Sequence, residues 1–180
     1  MAESARKFMV IFDRDGVLNV DHGYAFKPEE LEWVPGAKAA VKRANDAGAI
    51  TVIATNQSGI GRGYYIEADM QAFHAEMLRQ LAAEGARIDG IYFAPHHEAA
   101  AEDRYRVADH PDRKPNPGML LRALADFGVA PADAFMIGDK PSDMEAARRA
   151  GVRGLFFEGQ DLEGLVAAEL DRLAGTSVSR

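Results

Sequence analysis

The sequence predicts an α/β protein whose core is a doubly wound parallel sheet, covered by helices on both faces and without a separate cap domain. Three observations carry that expectation. Short apolar runs alternate with longer stretches of helical periodicity, the pattern of successive β-α units. Several runs are apolar throughout, as strands buried on both faces are. Polar clusters follow the first, second and fourth runs, where doubly wound sheets bind their ligands.

The elements follow in order. Phe8-Met9-Val10-Ile11-Phe12 reads as the first strand. Pro35 and Gly36 introduce a helix with Ala37, Ala40, Val41 and Ala44 on one side, and Gly48 is placed as its stop. Ala49 to Ala54 is a second buried strand, and a helix from about Glu67 to Glu84 carries Met70, Phe73, Met77 and Leu81 at helical spacing. His74 on that helix is expected at its surface. Ile88 to Phe93 is the third strand. Asn116-Pro117 is expected to open the next helix, Asn as N-cap and Pro at the first helical position, with Leu120, Leu121, Leu124 and Phe127 as its apolar side and Gly128 as its end. Ala134 to Ile137 is the fourth strand. Ser142-Asp143-Met144-Glu145 fits a capping box for a short helix ending at Gly151. Arg153 to Phe157 is the fifth strand, and Leu162, Leu165, Val166, Glu169, Leu170 and Leu173 mark a last amphipathic helix.

Composition bounds the function. The chain has 180 residues, enough for one domain with a proper core. We expect a leader over 1–7, a single domain over 8–174 and a tail over 175–180. A formal charge of −7 argues against a nucleic-acid binder with a broad basic face, though a small phosphorylated ligand needs only a local positive pocket. There are no cysteines, which removes disulfides, thiol nucleophiles and Cys-ligated zinc. The leader is polar, and the apolar stretch behind it is too short for a signal peptide. No run approaches the ~18 apolar residues of a membrane span. The expectation is a cytoplasmic monomer that binds neither membrane nor nucleic acid.

Two long connections, Asp13 to Val34 and Ala94 to Lys114, break the β-α rhythm; connections of that length are usually functional. The first opens on Asp13-Arg14-Asp15-Gly16 directly after the first strand. On an extended backbone Asp13 and Asp15 would project on one side, and two anions so close need a cation or a proton to relieve them. The pair therefore points to a metal-dependent catalytic site. Thr55-Asn56-Gln57-Ser58 follow the second strand, Gly138-Asp139-Lys140 the fourth, and Arg113-Lys114 closes the second long connection.

Together these segments resemble the haloacid-dehalogenase (HAD) superfamily of phosphatases, which implies a HAD-like Rossmannoid sheet. Asp13-Arg14-Asp15-Gly16, Asn19-Val20-Asp21-His22-Gly23-Tyr24, Thr55-Asn56-Gln57-Ser58-Gly59-Ile60, Arg62-Gly63, Pro95-His96-His97, Arg113-Lys114-Pro115 and Gly138-Asp139-Lys140 are similar to the D-glycero-D-manno-heptose 1,7-bisphosphate 7-phosphatases. The related histidinol-phosphate phosphatases share several of them. The resemblance spans about residues 10 to 150 and implies a hydrolase of the β-heptose-bisphosphate type, serving carbohydrate metabolism and lipopolysaccharide precursor synthesis. Asp13 is then the nucleophile that becomes an aspartyl-phosphate, and Asp15 the general acid and later base. Thr55 and Lys114 stabilise the transferring group. Mg²⁺ is implied on Asp13, the backbone carbonyl of Asp15, and Asp139. The substrate, a small phosphorylated sugar, would be contacted by Asp21, His22, Gly23, Tyr24, Asn56, Gln57, Ser58, Arg62, Arg113 and Lys140.

Plainer readings stand beside these. Asp143 is expected to be a helix-terminus residue rather than a ligand. Trp33 is expected to pack the first connection. Many relatives hold a structural zinc before the Arg-Lys-Pro motif through Cys and His; the corresponding positions here read Ala94, His96, Ala108 and about His110, so no zinc is expected. Val17 stands where Thr is common. Histidinol phosphate is the alternative substrate. A phosphosugar-binding module without catalysis is the alternative class, and the intact Asp13/Asp15 pair speaks against it.

Overall fold

The computed structural model describes residues 6–175; residues 1–5 of the expected leader and 176–180 of the expected tail lie outside the described residues. Five strands form one sheet: β1 (Met9–Phe12), β2 (Ile50–Asn56), β3 (Gly90–Ala94), β4 (Ala134–Gly138) and β5 (Arg153–Phe156), in the order β3-β2-β1-β4-β5. Every pairing is parallel. The helices are α1 (Ala37–Asp46), α2 (Ser58–Gly61), α3 (Glu67–Ala83), α4 (Gly118–Phe127), α5 (Pro141–Ala150) and α6 (Leu162–Gly175). No helix of the described residues is long and apolar enough to cross a membrane.

The side-chain alternation of the strands sorts the core into two layers. Val10 and Phe12 of β1, with Phe135 and Ile137 of β4, pack against α1, α3 and α6. Met9, Ile11 and Met136 face α4 and α5 on the other side. Both layers are apolar at the central strands β1, β2 and β4, which are buried on both faces and so read as continuous runs.

Local corrections have physical causes. Asn116 does not cap α4; Pro117 holds the N-cap position and α4 begins at Gly118. The Asn116 amide instead donates to Asp109 and the His110 carbonyl and accepts from Arg149, so tertiary partners override the local cap. Leu121 is exposed rather than part of the apolar side. Helix α5 begins two residues earlier than the expected capping box, and only half of a box forms. Lys140 is the N-cap, and Asp143 reaches back to its N–H at 3.0 Å. His74 is only 5% exposed, contrary to the surface expectation. It sits at i+4 from Met70 and i−3 from Met77, on the buried face of α3. Trp33 packs as expected and donates to Gln80 at 2.7 Å.

Neither long connection is structureless. The first folds back on itself through Val34 N–H to Leu18 O and Val20 N–H to Glu32 O, and buries Val17, Leu18 and Ala25. The second buries Ala100 and Tyr105 against Ile60, Tyr65 and Met70 in a third apolar cluster.

Candidate active site

Parallel register brings the polar segments to one edge. Phe12 pairs with Ile53 on β2 and with Ile137 on β4. Asp13 is one residue past that level, while Thr55 and Asp139 are two past it, so all three lie at the carboxyl ends of adjacent strands. Asp13 N–H bonds to the Ile137 carbonyl at 2.9 Å, which continues the ladder and fixes the aspartate's position.

Lys114 binds the centre together. Its buried ammonium donates to Asp13 Oδ1 at 2.8 Å and to the Ala54 carbonyl at 2.9 Å, and pairs with Asp143 Oδ1 at 2.7 Å. Three N–H groups thus meet three acceptors, the condition under which a buried charge is tolerated. Burial alone would lower the Lys114 pKa, but Asp13 and Asp143 outweigh it and hold the group above its ordinary value. Burial likewise pushes Asp13 up, and Lys114 pulls it back only in part. The Lys114 backbone is clamped by Asn56, whose amide accepts its N–H and donates to its carbonyl, each at 3.0 Å.

The two aspartates of the opening motif do not share one cation. Asp13 faces Lys114, while Asp15 is held by Arg14 at 3.0 Å, Asn19 at 3.0 Å and Gln57 at 3.1 Å. Much of their mutual repulsion is therefore met by the protein cations Lys114 and Arg14, so the pair does not by itself require a metal. A different set of carboxylates points to a metal. Asp13, Asp139 and Asp143 each place a carboxylate oxygen within 4.8 Å of the others. Oδ1 of Asp139 is buried and has no hydrogen-bond partner among the described residues, and burial raises that carboxyl's pKa. Hard oxygens with one left unmet fit a divalent cation such as Mg²⁺. Asp143 is accordingly more than a helix-terminus residue, since it also pairs with Lys114.

An open cavity of about 610 Å³ stands over this centre. Asp15, Lys114, Asn56, Gln57 and Ser58 form its inner wall, and Asp21, Gly23, Tyr24, Arg113 and Lys140 its outer one. Lys140 is paired with Asp21 at 3.2 Å. Arg113 donates to the His96 carbonyl at 3.1 Å; burial, with the neighbouring Arg62 charge, lowers its pKa. Two expected substrate contacts fall elsewhere. His22 does not line this cavity but pairs with Glu32 at 2.7 Å beside a separate one. Arg62 does not line it either, and its Nη2 meets His97 at 2.8 Å.

Thr55 is wholly buried, and its hydroxyl oxygen accepts from Gln57 Nε2 at 2.8 Å. Its own proton must therefore point to another acceptor. The sequence reading missed Arg14, Asn19 and Tyr65. Tyr65 lines the cavity and donates to Gln57 Oε1 at 2.5 Å, which turns the Gln57 amide nitrogen toward Asp15 and Thr55. A signal for Arg14 existed, since a guanidinium between two aspartates at a strand end has obvious partners. Tyr65 had none.

In the second connection His96 and His110 stack face to face, ring centroids 3.5 Å apart and planes 7° apart. Imidazole lone pairs lie in the ring plane, so parallel rings cannot both point at one ion. His110 Nδ1 also accepts from the Asp112 N–H at 3.1 Å. This arrangement does not fit a tetrahedral zinc held by both histidines.

An aspartate at the end of the central strand, a lysine bridging it to a second carboxylate, and a sheet of order 3-2-1-4-5 define the HAD class of phosphotransferring hydrolases. A family model described as HAD-hydrolase-like matches residues 111–160. The chain is 43% identical to a D-glycero-beta-D-manno-heptose-1,7-bisphosphate 7-phosphatase of Rhodopseudomonas palustris, over 99% of this chain and 98% of that one. It is also 43% identical to a D-glycero-alpha-D-manno-heptose-1,7-bisphosphate 7-phosphatase of Burkholderia mallei, over 79% of this chain and 75% of that one. Among solved structures, the D,D-heptose 1,7-bisphosphate phosphatase of B. bronchiseptica complexed with magnesium and phosphate superposes with a TM-score of 0.77 at 30% identity, over 92% of this chain and 99% of that one. The chain belongs to the heptose-bisphosphate 7-phosphatase family of HAD-like phosphatases, which are phosphoric monoester hydrolases.

Proposed function

We propose that the chain hydrolyses the 7-phosphate of D-glycero-D-manno-heptose 1,7-bisphosphate through a phosphoaspartyl intermediate on Asp13. The observation that carries the chemistry is the buried Asp13–Lys114–Asp143 array opening onto a cavity with cationic walls. The substrate rests on the relatives' names, and the full-length R. palustris relative favours the β-anomer.

Each residue's part follows from its contacts. Oδ1 of Asp13 is held by Lys114 and by the Arg14 N–H at 2.9 Å, so attack on phosphorus falls to Oδ2. As the P–O bond to the sugar breaks, Asp15 gives a proton to the leaving oxygen and the alcohol departs. Asp15 then takes a proton from water, whose oxygen bonds to phosphorus while the P–O bond to Asp13 breaks. Thr55 would turn its hydroxyl proton to an equatorial oxygen, and Lys114 sets its positive charge against the transferring group. Mg²⁺, held by Asp13, the Asp15 carbonyl and Asp139, would supply positive charge against the phosphoryl group. Arg113 and Lys140, with Asp21, Gly23, Tyr24, Asn56, Gln57 and Ser58, frame the sugar and its second phosphate. The fork of Arg113 suits a phosphate best. His22 and Arg62 stand outside this frame.

The test is phosphate release from the heptose bisphosphate and from histidinol phosphate. The heptose ester should show a kcat/KM at least ~100-fold higher, the scale of discrimination that a few polar contacts supply. The Asp13→Asn variant should lose at least ~10³-fold in kcat. Equal preference for the two esters would overturn the substrate, and an active Asp13→Asn variant the nucleophile. Ligand binding without turnover by the native protein would instead favour a binding module.

A further inference from the structure

We propose that Arg14, backed by His74, is the positioning residue that locks the Asp15 carboxylate so that Oδ2 is the oxygen that handles the proton. The inference rests on the reading of Asp15 as the acid and base of the reaction.

Arg14 heads the set of largest fully buried side chains, at 1% exposure. A buried guanidinium is tolerated when its donors are met, and here four of the five N–H groups have partners. Nε and Nη2 both donate to Asp15 Oδ1, at 3.3 and 3.0 Å. Nη2 also reaches the Ala25 carbonyl at 2.9 Å, and Nη1 meets His74 Nε2 at 3.1 Å. The plane lies over the Phe73 ring, 4.6 Å from its centroid. Both Phe73 and His74 come from α3, so this helix acts as the back wall of the guanidinium site.

The chemistry of the partners fixes protons. Arginine can only donate, so His74 Nε2 must present its lone pair and carry its proton on Nδ1. Burial, reinforced by Arg14, pushes His74 from its ordinary 6.5 down to about 3, which keeps it a neutral acceptor. At Asp15 the two oxygens are unequal. Oδ1 receives Arg14 and also Asn19 Nδ2 at 3.0 Å, whereas among the described residues Oδ2 receives only Gln57 Nε2 at 3.1 Å. An oxygen already surrounded by donors has no place for a proton, so the transferable proton resides on Oδ2.

Leaving groups test this directly. An alkyl alcohol needs a proton as it departs, while p-nitrophenolate leaves without one. Steady-state kcat/KM, which reports the first bond cleavage, should be compared for heptose 1,7-bisphosphate and p-nitrophenyl phosphate. Arg14→Met should lose about 100-fold on the heptose ester, the lower end of general-acid effects, and less than about 10-fold on the aryl ester. His74→Leu should show the same bias at smaller size. His74→Gln, whose amide oxygen can accept from Arg14, should stay within about threefold of the native enzyme on both esters. Equal losses on the two esters in Arg14→Met and His74→Leu, or no loss on either, would overturn the proposal. If Arg14→Met does not fold, the His74→Leu and His74→Gln pair decides by the same criterion. Asp15→Asn separates the two levels of inference. A leaving-group bias there but not at Arg14 or His74 rejects the positioning role alone. No bias in Asp15→Asn rejects the acid role on which it rests.

Discussion

At the scale of single residues, burial decides what an ionisable side chain does. Burial first, and the neighbouring Arg14 guanidinium second, lower the pKa of His74 to about 3, so in the fold it takes up a proton only well below neutral pH. The unfolded chain, by contrast, takes up that proton near 6.5. The unfolded state therefore binds more protons between the two values, and stability rises with pH across that window and falls as pH drops through it. From pH 7 to pH 5 this group should cost about 2 kcal/mol of stability. Urea denaturation of the native protein and of His74→Gln at both pH values checks this. The native protein should lose more stability than the variant by about that amount, and parallel losses would refute the account. Lys114 shows the opposite logic, since two carboxylates keep its ammonium charged although it is buried.

Elements matter here chiefly through where they stop. Strand β1 ends one residue before Asp13, and the chain turns at Gly16 with φ of +87°. A Cβ at Gly16 would lie 2.1 Å from Asp139 Oδ2, so glycine is required there for conformation and for clearance. Gly16→Ala should lose roughly 1–2 kcal/mol of stability from the left-handed backbone. Because the Asp139 carboxylate can swing aside, the larger effect should be on the metal. The Mg²⁺ concentration for half-maximal activity should rise at least ~10-fold, as it does when a ligand is displaced from its support. An unchanged magnesium requirement would show that Asp139 does not hold the ion. Helix ends were the least legible part of the sequence. Asn116 offered every local sign of an N-cap, yet its amide is spent on Asp109, His110 and Arg149. The start of α5 moved to Lys140 because Pro141 takes the first helical position, and Asp143 alone reaches back to the Lys140 N–H.

For the molecule as a whole, the order and type of elements were legible because strands buried on two faces leave continuous apolar runs. The convergence of Asp13, Thr55, Lys114 and Asp139 was legible through motif order and the strand-end rule. Tyr65 and the inward turn of His74 were not, because both depend on which loop packs over which helix. The same limit applies to the second connection, whose hold on the fold can be read only in three dimensions. It is fastened by the Ala101 N–H to the Gly61 carbonyl at 2.7 Å and by Tyr105 O–H to Glu67 at 2.7 Å. Tyr105 and Ala100 in the third apolar cluster, with the stacked His96 and His110, add to this. We propose that these contacts stand in for a structural metal. A structural zinc supplies on the order of 10 kcal/mol to folding, so its loss would be unmistakable. The purified protein should carry no stoichiometric zinc by elemental analysis. Treatment with EDTA should move its thermal midpoint by less than about 2 °C, since a change of 1 kcal/mol corresponds to about 2–4 °C in a chain of this size. The same treatment should abolish phosphate release until Mg²⁺ is restored. One zinc per chain, or a midpoint that collapses with chelation, would mean that the second connection is held by metal after all.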